Sequence, residues 1–284
     1  MFKVAILGIE NSHANIFAHQ INSGAYPGVE IVGAYSDETE ILENYCKNYS
    51  VPLMKTFDEL AGNVDGVIIT ARHGANHYKY AKPYIPYKIP IFIDKPIACT
   101  DEEALAFMRE LKQNGAPAFG GSMCKHSKET VKCAQMVKEN TLGDIEGGNL
   151  LFPIDMNNPY GGFSFYAQHL IEVMLVVFGY DVKEVNASMR EDRLSFIARY
   201  DQYDVTGTYT VHESYQISVY GKDEVVTKNL TLGGHAFMDR MYSLLNGEDV
   251  AEDYDTLIKP IFVMNALLRS AKSGKWEPVN AEQV

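Results

Sequence analysis

Over the first 120 residues, short apolar runs rich in β-branched side chains alternate with amphipathic stretches of helical period. Strands are predicted at residues 3–7, 30–35, 52–54 (a short one), 66–70, 90–93 and 116–120, with helices between them. That alternation is the pattern of βαβ units and of a doubly wound parallel sheet. The helix predicted over 101–113 opens on Asp101-Glu102-Glu103, carboxylates that favour the positive end of the helix dipole, and stops at Asn114-Gly115. After a helix over 128–140 the pattern changes. Runs at 144–154, 182–190, 194–200, 205–211, 215–220 and 225–230 alternate with period two and are spaced as hairpins, so they are expected to pair antiparallel. Helices are predicted at 163–178 and at 255–273, the second ending on Ser273-Gly274. The fold class is therefore α/β: a doubly wound parallel sheet over residues 1–120, then an α+β domain over 121–284 with an open, mainly antiparallel sheet. The last helix is free to pack back on the first domain.

Composition narrows the function. The chain has 284 residues, 46% apolar and 22% charged, enough for two domains with real cores. Its 25 Lys+Arg against 37 Asp+Glu give a net charge of −12, and no basic cluster stands out. Nucleic acid and anionic membrane are excluded as partners, because phosphate contacts need concentrated positive charge. No apolar run reaches the roughly 18 residues of a membrane span. Met1 leads directly into Phe2-Lys3-Val4-Ala5-Ile6-Leu7 without a signal-peptide pattern, so a cytoplasmic location is expected. Cys46, Cys99, Cys124 and Cys133 form no CxxC pair and are expected as reduced, mostly buried thiols. His13, His19 and His73 match no metal-ligand spacing, so no metal is expected.

The first strand-to-helix turn, Gly8-Ile9-Glu10-Asn11-Ser12-His13, lies where a dinucleotide fold carries G-x-G-x-x-G. Only Gly8 remains of the three glycines, and a Glu10 carboxylate at the second position would repel a pyrophosphate. The helix N-terminus still offers N–H groups to an anion, with Asn11 or Ser12 as its cap. A capped turn that binds no phosphate is the other reading. At the end of the second strand Ser36 stands where an acid would hold the ribose of NAD, and Asp37 follows it. Neither a firm NAD pattern nor the Arg expected for NADP is present, and Asp37 could equally cap the next helix.

The apolar run Pro90-Ile91-Phe92-Ile93 ends abruptly in Asp94-Lys95-Pro96. Ligands of open α/β sheets bind outside the carboxyl ends of strands, so Lys95 would point into that crevice and could polarise a substrate oxygen. A plain Lys-Asp surface pair is the alternative. Here the chain resembles the Gfo/Idh/MocA family of NAD(P)-dependent oxidoreductases, whose glutamate-lysine-proline signature would read Asp94-Lys95-Pro96. The likeness extends to Val64-Asp65-Gly66-Val67-Ile68-Ile69-Thr70 with Asn76-His77, to Gly143-Asp144-Ile145, and to the closing Leu267-Leu268-Arg269-Ser270-Ala271-Lys272-Ser273-Gly274. The resemblance implies a Rossmann-type domain and an open sheet that builds homodimers or homotetramers. It also implies a catalytic Lys95, a cis Lys95–Pro96 peptide as X-Pro energetics allow, and NAD or NADP as cofactor. The candidate cofactor contacts are Gly8, Glu10, Asn11, Ser12, Ser36, Asp37, Thr70, His77, Asp94 and Lys95.

The family's second-domain histidine is matched by His169, while its usual aspartate four residues earlier is Phe165 here. Along this helix Leu170, Ile171, Met174, Leu175 and Phe178 make one apolar stripe, and Phe165, Tyr166, His169, Glu172 and Val173 share the opposite face. Such a helix is buried or walls a cleft, so His169 and Glu172 need partners. Spacing of three residues puts Tyr166 and Glu172 within reach of His169, and either could orient the imidazole. The alternative is a core histidine satisfied by Glu172. Lys125 and His126, after the sixth strand, are further candidates for substrate contact, or else decorate a helix start. Tyr78, Tyr80, Tyr84 and Tyr87 are read as packing groups, and 158–162 as a loop entering the His169 helix.

These readings predict an oxidoreductase acting on a secondary alcohol or ketone of a sugar, cyclitol or related polyol, with Lys95, His169, Tyr166 and Glu172 as its catalytic set. The rival is a non-catalytic small-molecule binding or regulatory protein with a degenerate dinucleotide turn.

Overall fold

The computed structural model describes residues 1–284. The chain forms two compact units, one of Met1–Gly121 with His235–Leu257 and Val284, the other of Ser122–Gly234 with Ile258–Gln283.

The first unit is built on five parallel strands: β1 (Phe2–Leu7), β2 (Val29–Tyr35), β3 (Gly66–Ile69), β4 (Ile91–Asp94) and β5 (Ala118–Gly121), in the order β2-β1-β3-β4-β5. Helices α1 (Ser12–Asn22), α2 (Thr39–Tyr49), α3 (Ala75–Ala81) and α4 (Asp101–Asn114) follow the first four strands in turn. Val4 to Leu7, Ile68, Ile69 and Ile91 to Ile93 are almost completely buried, as central parallel strands covered on both faces should be. The strand predicted at 52–54 is reduced to a single bridge between Ala34 and Leu53. Three residues that begin on Pro52, which has no N–H to give, cannot build a longer ladder. Helix α4 starts as its sequence foretells: the Thr100 side chain accepts from Glu103 N at 3.1 Å, and Gly115 closes the helix at φ +67.

The sequence reading assigns all of 121–284 to a second domain, but 235–257 belongs to the first unit. Its helix α7 (Ala236–Leu245), which the sequence reading did not anticipate, buries Phe237, Met238 and Met241. Phe237 packs against Phe92 at 4.8 Å between ring centroids, and Tyr26 Oη donates to Asp239 at 2.7 Å. These contacts hold the segment to the first sheet.

In the second unit a short 3₁₀ turn, Met123–His126, leads into α5 (Lys128–Lys138), β6 (Ile145–Pro153) and α6 (Phe163–Phe178). Strands β7 (Glu184–Met189), β8 (Leu194–Arg199), β9 (Asp204–Thr210), β10 (Gln216–Gly221) and β11 (Val225–Asn229) follow. Helix α8 (Tyr254–Ser273) and β12 (Glu277–Pro278) close the chain. The seven strands lie in the order β11-β10-β6-β9-β8-β7-β12. Neighbours pair antiparallel except β6 and β9, which run parallel from Gly147↔Asp204 to Pro153↔Thr210. Hairpin spacing alone did not reveal this pair, because the chain leaves β6 through α6 and returns to its side only after β7 and β8. Helix α6 covers one face. Tyr209 Oη donates to Ala167 O at 2.6 Å, and a Cβ on Gly148 would meet Phe178 at 2.1 Å, so only glycine lets helix and strand approach this closely. The other face carries polar pairs, such as Ser195 with Thr208 at 3.3 Å and Asn149 with Thr206 at 2.8 Å. No helix is long and apolar enough to cross a membrane.

Candidate active site

The carboxyl ends of β1 to β4 are tied together by side chains. Gly8 has φ +80, and a Cβ there would lie 2.3 Å from Ala71 N, so both its conformation and its closeness to the end of β3 demand glycine. Thr70 Oγ1 donates to Gly8 O at 2.9 Å and is fully buried. Glu10, at the second glycine's position, does not reach into open solvent. Its carboxylate accepts from Ser36 Oγ at 2.8 Å and from Arg72 N at 3.2 Å, joining the turn to the ends of β2 and β3. Asn11 is the cap of α1, accepting from His13 N at 3.2 Å, and Ser12 is the first helical residue.

His13, which stands where the third glycine would, turns its Nδ1 to Asp94 at 2.7 Å. The Asp94 carboxylate is 1% exposed and also accepts from Asn11 Nδ2 at 3.1 Å and from Lys95 N at 2.7 Å. Burial works to raise the Asp94 pKa, but the His13 ring, its hydrogen bond and the Lys95 ammonium outweigh it and hold the carboxyl below its ordinary value. Lys95 is 3% exposed, and the Lys95–Pro96 peptide is cis.

Two expectations about neighbouring residues change. Asp37 does not cap α2, whose cap residue is Glu38. Its carboxylate accepts from Tyr35 Oη at 2.5 Å and Tyr80 Oη at 2.8 Å, bonds that hold it below the usual carboxylate range. It stays half-exposed, at 55% of its side chain. His77, expected beside a cofactor, is wholly buried between Pro96 O at 2.7 Å and Ala71 O at 2.9 Å, and so fastens the cis-proline loop to the end of β3. Burial pushes its pKa down, against the Asp94 carboxylate and the two carbonyl acceptors, which favour the charged ring.

A dinucleotide can be tested against these residues. Beside the turn is a cavity of about 330 Å³ whose lining includes Ser12, Asn15, Asn44, Asn48, Arg72 and Glu10. Gly8, the start of α1, the amides and Arg72 suit phosphate and ribose groups, and Asp37 offers a carboxylate at the end of β2. Glu10 is the one discordant charge, and its two acceptors are already engaged. The residues fit the group, with a penalty at Glu10.

In the second unit, His169 Nδ1 lies 2.6 Å from Ser122 Oγ and 3.7 Å from Cys124 Sγ. Glu172 accepts from Ser122 N at 3.0 Å and from Gln168 Nε2, and lies 3.4 Å from Lys125 Nζ. Ser122 thus links the two residues, meeting the imidazole through its hydroxyl and the carboxylate through its N–H. Lys125 is buried against Glu172, and half-buried His126 ends the 3₁₀ turn. The Tyr166 ring sits 5.7 Å from that of His169, and Phe165 packs on Tyr166 at 5.1 Å and Tyr160 at 5.9 Å. Sequence reasoning missed His13 and Ser122 as partners. The only signal for His13 was its place in the turn; Ser122 meets His169 only through the fold. No group of three His, Cys, Asp or Glu side chains is arranged to hold a metal ion.

Comparison with known proteins places this geometry in context. Residues 2–121 match the pattern of an oxidoreductase family with an NAD-binding Rossmann fold. The WlbA dehydrogenase from Bordetella pertussis, solved with NADH and UDP-GlcNAcA, superposes with a TM-score of 0.85 at 14% identity, over 99% of each chain. GenD2 of gentamicin A biosynthesis, solved with NAD, gives 0.86 at 15% identity over 99% of this chain and 97% of that one. The scyllo-inositol dehydrogenase from Lactobacillus casei gives 0.83 at 16% identity over 98% of each chain. Identities this low show a shared fold. No protein of curated function matches in sequence. The amino-terminal part of this chain, residues 2–121, thus matches the Gfo/Idh/MocA oxidoreductase family, with its NAD-binding Rossmann fold.

Proposed function

We propose that the protein is a cytoplasmic NAD(P)-dependent oxidoreductase that interconverts a secondary alcohol and a ketone on a sugar, cyclitol or related polyol. The observation that carries this reading is the buried Asp94-Lys95-cis-Pro96 group at the carboxyl end of β4, next to a glycine turn that fits a dinucleotide. The solved relatives named above, with NADH and a nucleotide sugar or with an inositol in their names, support the substrate class.

Gly8, the first turn of α1, Asn15, Asn44, Asn48 and Arg72 would hold the dinucleotide, with Asp37 at its ribose. A bound dinucleotide would supply the hydride acceptor for the carbinol C–H in the oxidation direction, leaving the O–H proton for the protein to take. Lys95 donates a hydrogen bond to the reacting oxygen and steadies the charge that grows on it. Asp94 fixes the backbone of Lys95 and keeps a negative charge beside the ammonium. His169 takes the proton. With Nδ1–H given to Ser122 Oγ, Nε2 is the basic nitrogen, and Glu172 steadies the pair through Ser122 N. The open sheet face, with Leu151, Ile197 and Tyr220 directed outward among Ser and Thr, is proposed to join copies into a homodimer or homotetramer, which light scattering on a sizing column tests.

A second reading is favoured by two residues. Glu10 puts a carboxylate in the phosphate turn, and Phe165 takes the family's aspartate position, as in a protein that binds a ligand without turning it over. Titration of the cofactor-free protein with NADH and NADPH, followed by nicotinamide fluorescence, decides between them. Micromolar binding, together with turnover that Lys95→Ala abolishes in a folded protein, supports the oxidoreductase. No binding of either nucleotide overturns it.

A further inference from the structure

The second unit holds a cavity of about 270 Å³ lined by Pro153, Ile154, Asp155, Tyr166, Glu213 and Tyr215. It opens one ring away from His169, since Tyr166 belongs both to its wall and to the 5.7 Å ring contact with that histidine. Its size falls below the roughly 300–1,000 Å³ of pockets that hold drug-sized ligands. A single six-membered polyol ring suits it.

The walls also specify charge. Two of the six lining residues are carboxylates, and none is lysine or arginine. Asp155 is held in place by Asn157 N at 3.1 Å and Asn158 Nδ2 at 3.2 Å, both donating to it. Lys125, which the sequence offers as a substrate contact, does not line the cavity and is paired with Glu172 at 3.4 Å. The two tyrosines are set by packing: Tyr215 lies 5.2 Å edge-on to Phe152, and Tyr166 5.1 Å from Phe165. Burial first, with Glu213 among the smaller causes, pushes the Tyr215 pKa up to about 12, so its hydroxyl stays neutral over the working range. Tyrosine faces take the C–H face of a sugar ring and also attract an ammonium. A net charge of −12 on the chain adds to the same preference.

We infer that the substrate is a single-ring amino sugar or aminocyclitol, bound as its ammonium form by Asp155 and Glu213 between Tyr166 and Tyr215. A uronate, sugar phosphate or nucleotide sugar would bring a like charge to two carboxylates with no cation in the wall. This rests on the oxidoreductase reading for its chemistry, but recognition of the amine can be measured without turnover.

Matched sets in the gluco, galacto and manno series supply the probes: the free amino sugar, the neutral hexose, the N-acetyl derivative and the uronate. Binding to cofactor-free protein is followed by calorimetry at pH 7, and kcat/KM with NAD⁺ and NADP⁺ is measured in parallel. In at least one series the amine is expected to bind about ten-fold or more tighter than the neutral hexose, and the uronate weakest of all. Asp155→Asn and Glu213→Gln should each erase most of that preference through Kd or KM; Glu213→Gln, at an exposed position, should melt like the wild type, and a melting curve shows that Asp155→Asn, which gives up the bond from Asn158 Nδ2, is still folded. Equal binding of amine and hexose, tighter binding of the uronate, no binding of any amine, or a preference that survives both substitutions overturns the inference. If the amine binds selectively but neither nucleotide binds, the oxidoreductase reading fails and the recognition stands.

Discussion

Glu10→Gln changes one charge at the point where this chain departs furthest from a dinucleotide turn. In the wild type the carboxylate accepts from Ser36 Oγ at 2.8 Å and from Arg72 N at 3.2 Å. The amide can keep both partners: its oxygen accepts from Arg72 N, and its NH₂ donates to Ser36 Oγ once that hydroxyl rotates. What is lost is the difference between a charged and a neutral acceptor, about 1 kcal/mol. For a unit of this size that lowers Tm by about 2–4 °C. The gain is electrostatic. Two like unit charges about 4 Å apart repel by about 1 kcal/mol in water-like surroundings and about 4 kcal/mol near a protein surface. Neutralising Glu10 should therefore tighten NADH binding by at least about five-fold, since 1.4 kcal/mol is ten-fold. Nicotinamide fluorescence titration of both proteins measures this, with melting curves to show that both are folded. The gap should narrow as salt rises from about 0.05 to 0.5 M, because screening weakens the repulsion. An unchanged or weaker affinity in a folded Glu10→Gln protein would refute the idea that this carboxylate opposes the dinucleotide. Binding that exists only in the variant would favour the non-catalytic reading of the natural chain.

Three further outcomes follow from the same geometry. Asp94 has a depressed pKa, so its contribution to stability is present above about pH 3.9 and is lost as pH falls through its lower folded value; urea melts of wild type and Asp94→Asn should converge as pH falls from 5 toward 2, and a constant difference would count against the pairing with His13. Gly8→Ala forces a Cβ to within 2.3 Å of Ala71 N at φ +80, which should cost about 3 kcal/mol or more and show as poor expression or a large drop in Tm. Ser122→Ala should lower kcat about ten-fold or more and shift its pH profile while the Kd of NADH stays fixed, with Ser122→Thr restoring part of the loss; an unaltered pH profile would separate Ser122 from the His169 relay.

Local chemistry made most of the fold legible. The helix at 163–178 has the bounds that its all-round apolar pattern implies, and α4 begins and ends on the residues that cap it. What escaped was non-local. The parallel pairing of β6 with β9 depends on a crossover that no window of sequence contains. Helix α7 carries a helical period in Phe237, Met238 and Met241, but it is only ten residues long and lies between the last predicted strand and the last predicted helix, where no element is assigned. At the site, the residue types were visible but not their partners. His77 looked like a ligand contact and is a buried brace. Ser122, which joins His169 to Glu172, lies 47 residues from the histidine in the chain, so no local pattern marks it as their partner.

The same limit bears on the glycine turn, where the substitutions make sense only together. Each residue that replaces a glycine reaches a strand end: Glu10 to Ser36 and Arg72 N, His13 to Asp94. The signature acid on β4 is also one methylene shorter than the family's glutamate. The imidazole on α1 reaches this shorter acid and supplies a hydrogen bond that a glycine could not. The turn has therefore been rebuilt as a side-chain lattice with its carboxylates satisfied, whereas an eroded turn would leave Glu10 and His13 unconnected. Lys95 and the cis-proline loop are the beneficiaries, since Asp94 holds the Lys95 backbone and His77 the Pro96 carbonyl. A lattice that fixes the backbone on both sides of Lys95 is what a reaction needing that side chain in one place requires. On this ground the oxidoreductase is preferred over the binding protein.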